Sequence, residues 1–178
     1  MATLRRITVS NAAGFNPPAL QALVGDAVTW HNDDATTHQP YPAGGKPGGW
    51  VPPITGNNSS EQFNLGTPGT FPYLDANNPA LKGSILVATP IQVGPVFGGS
   101  GSAYVPSPAQ VPVGTTVVWQ NSDSVPHQPY PAGGSPTAWF AQPIPPGQYS
   151  SPVTFSTAGS ISYQDAKNPS LTGVIVVK

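Results

Sequence analysis

Two histidines head the same eight-residue phrase, HQPYPAGG, at His38–Gly45 and again at His127–Gly134. The chain has only 3 histidines, so the repetition singles these two out. By residue type a repeated imidazole is a metal ligand, a proton carrier or a hydrogen-bonding anchor. The chain has no cysteine, which removes thiolate ligation, nucleophilic thiols and disulfides together. Hydrolytic chemistry finds little to work with. G-x-S-x-G is absent, the acidic residues number 7, and no pair of them is spaced as an acid/base couple. No glycine-rich loop opens a helix that could cradle a phosphate. These absences predict a protein that is not an enzyme. The third histidine, His31, has Gln120 in the matching position and reads as an ordinary strand-end side chain.

The elements that must carry His38 and His127 come in two copies. Trp30 recurs as Trp119, His38 as His127 and Trp50 as Trp139, all at one offset. FPYLDANNPALKGSILV (71–87) is answered by ISYQDAKNPSLTGVIVV (161–177). The join falls near Thr89–Pro90, giving a first domain over 1–89 and a second over 90–178. In the first copy RRITV, DAVTWHN, SEQFNL, GTFPYLD and GSILVA read as short strands. IQVGPV, TTVVWQN, SPVTFS, GSISYQD and GVIVVK read likewise in the second. VGD, VGT, TPGT and TAGS are turns between them. No stretch has a helical period, so each copy is predicted to be a β-sandwich. GPVFGGSGSA (94–103) reads as a flexible glycine-rich loop in an early hairpin of the second copy.

Charged residues make up 7% of the chain, against about 25% for an ordinary globular domain. Net charge is −1 and the six basic residues are scattered, so no nucleic acid or anionic membrane is recruited. No apolar run is long enough for a transmembrane segment, and MATLRRITVS lacks the apolar centre of a signal peptide. The Pro, Gly, Ser, Thr, Asn and Gln content is that of an extracellular or cell-surface protein, with a cytoplasmic setting left open.

GFNPPALQALVGDAVTWHNDDATTHQ (14–39) resembles the opening of a cupredoxin, the blue-copper sandwich, in which a strand ending V-T-W-x-N is followed by a ligand histidine. PGTFPYLDANNPALKGSILV (68–87) resembles that family's closing hairpin, and both copies are covered nearly end to end. YLDANNPALKG (73–83) and YQDAKNPSLTG (163–173) are similar to a bacterial cupredoxin-like group with a Y-x-D-x-x-N-P-x-x-x-G loop. The resemblance implies two tandem cupredoxin-like Greek-key β-sandwiches, an all-β fold. It keeps the loop histidine as His38 and His127. The cysteine slot holds Asp75 and Asp165, the second histidine slot Asn78 and Asn168, and the methionine slot Leu81 and Leu171. A blue-copper centre needs a thiolate and two imidazoles, so copper electron transfer is argued against.

On that fold His38 meets Asp75, and His127 meets Asp165, at one end of each sandwich. His38, Asp75 and Asn78, with His127, Asp165 and Asn168, are the candidate donors for zinc or copper(II), short of the usual four. The competing expectation is a His–Asp hydrogen bond where the metal once sat, because a buried carboxylate needs a partner. No cofactor is assigned. Tyr41, Trp50, Tyr130 and Trp139 lie among prolines and glycines and are candidates for an exposed binding surface; the competing expectation is that they cap the sandwich end and pack on each other. The function expected first is a non-redox structural or interaction protein, a self-assembling subunit of a filament, sheath or layer, whose partner is itself or another surface protein. The alternatives are a copper or zinc carrier using His38 and His127, and a carbohydrate-binding module.

Overall fold

The computed structural model describes residues 2–96 and 101–178, and every regular element in them is a β-strand. With 24 prolines and 20 glycines the chain has few windows in which a helix could propagate. Between these breakers, short β-branched and aromatic runs bury alternate side chains and pair. The chain divides into two compact units, Met1–Ala88 and Thr89–Lys178.

The first unit uses β1 (Leu4–Ser10), β2 (Gly14–Asn16), β3 (Ala19–Leu23), β4 (Ala27–Asn32), β5 (Pro40–Pro42), β6 (Phe63–Asn64), β7 (Gly69–Asp75) and the first part of β8 (Lys82–Pro95). One sheet runs β2-β1-β4-β6, and the other joins β3, β8, β7 and β5 in that order. The second unit uses the rest of β8 with β9 (Ser102–Val105), β10 (Ala109–Val111), β11 (Thr115–Asn121), β12 (Pro129–Pro131), β13 (Val153–Phe155), β14 (Gly159–Asp165) and β15 (Thr172–Val177). Its sheets run β9-β8-β11-β13 and β10-β15-β14-β12. Each unit is therefore a Greek-key sandwich of two four-stranded sheets, with the same pairing pattern in both.

Each core draws on both sheets of its unit. Ile7, Val9, Val28 and Trp30 from one sheet meet Ala22, Tyr73, Ile85 and Val87 from the other in the first unit. Ile91, Val93, Val117 and Trp119 meet Ala109, Tyr163, Ile175 and Val177 in the second. Tyr73 lies directly across from Gly83, and Tyr163 from Gly173. A Cβ at either glycine would sit 2.3 Å from the tyrosine Cζ. The ring lies over the strand where the side chain is missing, which gives these in-strand glycines their role.

The strands expected around the tryptophans and tyrosines are present, three of them, β7, β11 and β14, with the expected bounds. Six short strands were not anticipated: β2, β3, β5, β9, β10 and β12. The glycine-rich stretch over 94–103 is a correction. Gly94 and Pro95 pair with Ala103 and Ser102, and the remaining expectation, for 97–100, lies outside the described residues.

Candidate functional site

The site begins with an asparagine. Asn32 closes β4, is fully buried, and spends its side chain on the loop that follows. Its Nδ2 donates to the Ile54 carbonyl at 2.9 Å, and its Oδ1 accepts from the Asp34 amide at 2.9 Å. Asn121 at the end of β11 does the same for Ile144 and Asp123. Both asparagines thereby fix a turn that returns the chain to the sandwich. There His38 bridges Ile54, and His127 bridges Ile144, through the backbone. The imidazoles inherit that fixed position and are buried, 1% and 3% exposed.

Each ring lies between two carboxylates. His38 Nδ1 bonds Asp75 Oδ2, and its Nε2 faces Asp34 Oδ2 at 3.3 Å. His127 Nδ1 bonds Asp165 Oδ2 at 3.0 Å, and its Nε2 faces Asp123 Oδ2 at 3.2 Å. Both ring nitrogens of each histidine thus have a carboxylate oxygen within hydrogen-bond reach.

Asp75 and Asp165 are fully buried at the ends of β7 and β14. Asp75 Oδ1 accepts from the Gln39 and Asn77 amides at 3.0 and 2.9 Å. Asp165 has a fuller set: the Gln128 amide and the Tyr104 hydroxyl on Oδ2, both at 3.0 Å, and the Lys167 and Asn168 amides on Oδ1. Each carboxylate thus ties the histidine loop to the loop before the last strand of its unit. The Thr36 hydroxyl and then the Asn11 amide hold the Asp34 carboxyl well below the usual carboxylate range. The Ser102 hydroxyl, then the Ser124 amide, hold Asp123 down to about 2. Burial, reinforced by the Asp165 charge, pushes the Tyr104 phenol far up.

Of the predicted donors, the histidines and aspartates meet as expected and the asparagines do not join them. Asn78 turns its amide to Asn11, 3.0 Å away, and Asn168 offers Asp165 a backbone amide while its side chain accepts from Ser170. Among the described residues no three His, Cys, Asp or Glu side chains form a set able to hold a metal ion. Nor do the residues present fit a copper–thiolate centre. The carboxylate in the cysteine position is committed to the histidine, and Leu81 and Leu171 pack with the cores.

Of the two expectations for the aromatics, the packed one describes the tryptophans. Trp50 stacks on Trp30 with centroids 5.7 Å apart, and Trp139 packs on Trp119 at 4.9 Å. Tyr130 is only 8% exposed and bonds Gln164, while Tyr41 is half-buried on β5. Each tryptophan completes a core that its short strands leave open, so its loop turns the ring inward. What remains exposed is the loop itself, Ala43–Gly49 in the first unit. His31 sits where a strand-end residue should, bonding Ser59 at 2.8 Å.

Asp34 and Asp123 were missed by sequence reasoning, although both stand four residues before a repeated histidine. Superposing the two copies would have found them. Tyr104 carried no such signal, since Phe15 packs on Tyr73 as Tyr104 does on Tyr163.

No family model matches the chain, and no curated protein matches it. Among solved structures the chain is similar to a reduced amicyanin variant: 21% identity, 47% of this chain, 81% of amicyanin, TM-score 0.40. An oxidised amicyanin variant gives 24% identity over 47% of this chain and 80% of that one, TM-score 0.41. A purple cupredoxin from Nitrosopumilus maritimus gives 24% identity over 47% of this chain and 99% of its own, TM-score 0.41. The fold rests on the strand order and burial described above, not on these likenesses.

Proposed function

We propose that this chain is a structural or interaction module of the extracellular space or cell surface, in which the copper end of the sandwich has become a loop fastener. The observation that carries the reading is the commitment of Asp75 and Asp165. Each buried carboxylate is held by a histidine and backbone amides, so the site closes loops. The surface supports self-association as the use. With 7% charged residues, little electrostatic repulsion opposes contact between copies or with another surface protein. A module with two like units offers repeated faces for head-to-tail contact, which can extend without closing. Light scattering and electron microscopy across a concentration series test this. Growth of ordered assemblies is expected, and a monodisperse 18.3 kDa monomer at high concentration would overturn it.

A second reading, a zinc or copper(II) carrier, draws its support from the repeated approach of His38 Nε2 to Asp34 and of His127 Nε2 to Asp123. A metal-binding histidine commonly donates its other N–H to a carboxylate, as Asp75 and Asp165 would require. Following the three histidine ring spectra by NMR during zinc titration separates the readings. Spectra unchanged at one equivalent per site leave the structural module.

A further inference from the structure

The second unit holds a continuous run of oxidisable rings that leads from a surface cavity to Asp165. Trp139 is half-buried and lines a cavity of about 320 Å³ together with Gln142 and Tyr149. Its ring packs on Trp119 at 4.9 Å and on Tyr163 at 5.7 Å. Trp119 meets Tyr163 at 5.7 Å, and Tyr163 meets Tyr104 at 4.8 Å. Rings in contact are electronically coupled, so an electron passes between them without either ring leaving its place. Where the oxidising equivalent stops depends on protons. A phenol that loses an electron becomes a strong acid, and it is stabilised as a neutral radical only if its proton has an acceptor within hydrogen-bond reach.

Only one of the buried phenols in this run has such an acceptor. The Tyr163 hydroxyl is buried without a hydrogen-bond partner, so its proton has nowhere to go. The Tyr104 hydroxyl donates to Asp165 Oδ2 at 3.0 Å. We infer that the second unit carries a one-electron oxidation site at Tyr104, fed through Trp139, Trp119 and Tyr163, with Asp165 as the proton acceptor. The balance is simple. An external one-electron oxidant takes an electron at Trp139, and the vacancy passes to Trp119 and then across the intervening Tyr163 ring, which keeps its proton, to Tyr104. Tyr104 supplies the electron and its phenolic proton moves to Asp165 Oδ2; reduction reverses both transfers. No metal in the protein is required, and the inference is independent of self-association.

The first unit is a built-in control. Trp50, Trp30 and Tyr73 repeat the run at 5.7 and 5.8 Å, but it ends at Phe15, and the Tyr73 hydroxyl is buried without a partner. The same end of the sandwich thus has its terminal phenol in one unit and not in the other.

The test uses the full chain with Tyr41→Phe and Tyr149→Phe, which remove two tyrosines open to direct oxidation. The oxidant is tris-bipyridine ruthenium(III) generated by a light flash, and electron paramagnetic resonance reads the radical formed. A tyrosyl radical is expected, forming more slowly in heavy water. Adding Tyr104→Phe should abolish it and leave a tryptophan radical. Phenylalanine already occupies the equivalent place in the first unit, so this variant is expected to fold, which near-ultraviolet circular dichroism checks. Trp139→Phe should slow formation of the tyrosyl radical. An undiminished tyrosyl signal in the Tyr104→Phe protein, or its absence before that change, overturns the assignment. An unchanged rate in Trp139→Phe overturns the route.

Discussion

Replacing Gly83 by alanine should unfold the first unit's core rather than strengthen its strand. Taken alone, the substitution looks favourable, because glycine inside a strand costs roughly 0.5–1 kcal/mol relative to alanine. The contacts reverse the sign. An added Cβ would lie 2.3 Å from Tyr73 Cζ, 2.4 Å from its hydroxyl and 2.8 Å from Cε1, all far inside van der Waals contact. The ring cannot swing aside. It is fully buried, with Phe15 at 4.7 Å, Trp50 at 5.7 Å and Trp30 at 5.8 Å. Relief must come from shifting β7 against β8 or from expelling the ring. Overpacking of a closed core costs about 1–3 kcal/mol, and the upper end applies where nothing yields. At about 4–8 °C per kcal/mol for a unit of this size, Gly83→Ala should lower that unit's Tm by roughly 12–24 °C. Calorimetry of the full chain reads it. A double-mutant cycle with Tyr73→Leu isolates the cause, since without the ring the alanine becomes neutral or better, and coupling between touching residues reaches about 0.5–3 kcal/mol. A Gly83→Ala protein as stable as the parent, or a cycle with no coupling, would refute the claim that the ring requires the glycine. Gly173→Ala should repeat the result in the second unit.

Trp119→Ala, at a fully buried position, should cost about 3–5 kcal/mol in urea unfolding, and Trp30→Ala about the same. Asp165→Ala leaves His127, two or more amides and the Tyr104 hydroxyl without their acceptor and should cost about 3–5 kcal/mol. Asp75→Ala, which strands no tyrosine, should cost less in the same assay. The depressed carboxyl of Asp123 makes stability pH-dependent. Its contribution is complete above the unfolded value of 3.8 and is lost as pH falls through about 2. Urea midpoints should therefore fall between about pH 4 and pH 2, and Asp123→Asn should flatten that decline. Asp34 acts in the same direction in the first unit.

The sandwich was legible where local preference and burial agree. TTVVWQN is β-branched with a tryptophan and buries all but one residue, GSISYQD alternates and buries Tyr163 and Asp165, and both form strands with those bounds. PYP at Pro40–Pro42 and Pro129–Pro131 has no such signature. A proline lacks the ladder donor and sits on a sheet edge, so these strands exist only because β7 and β14 pair with them. β3 and β10 are likewise edge strands, made by parallel pairing with residues far along the chain. The His–Asp contact could be anticipated because the resemblance aligns both residues with ligand positions at one end of the sandwich. For Trp50 and Trp139 packing and exposure both stayed open, since the outcome depends on how a proline- and glycine-rich loop folds back, and nothing periodic records that.

The donor sets of Asp75 and Asp165 bear on any attempt to re-metallate this fold. A carboxylate offers two oxygens and accepts several N–H groups at once; a sulfur in its place is a weak acceptor on a shorter stem. Writing cysteine at position 75 would orphan the amides of Gln39 and Asn77 along with the His38 ring. The loops that a copper ion needs held rigid would lose what holds them. Introducing a copper–thiolate site therefore requires a concerted change, in which the connecting segments are rebuilt together with the ligands.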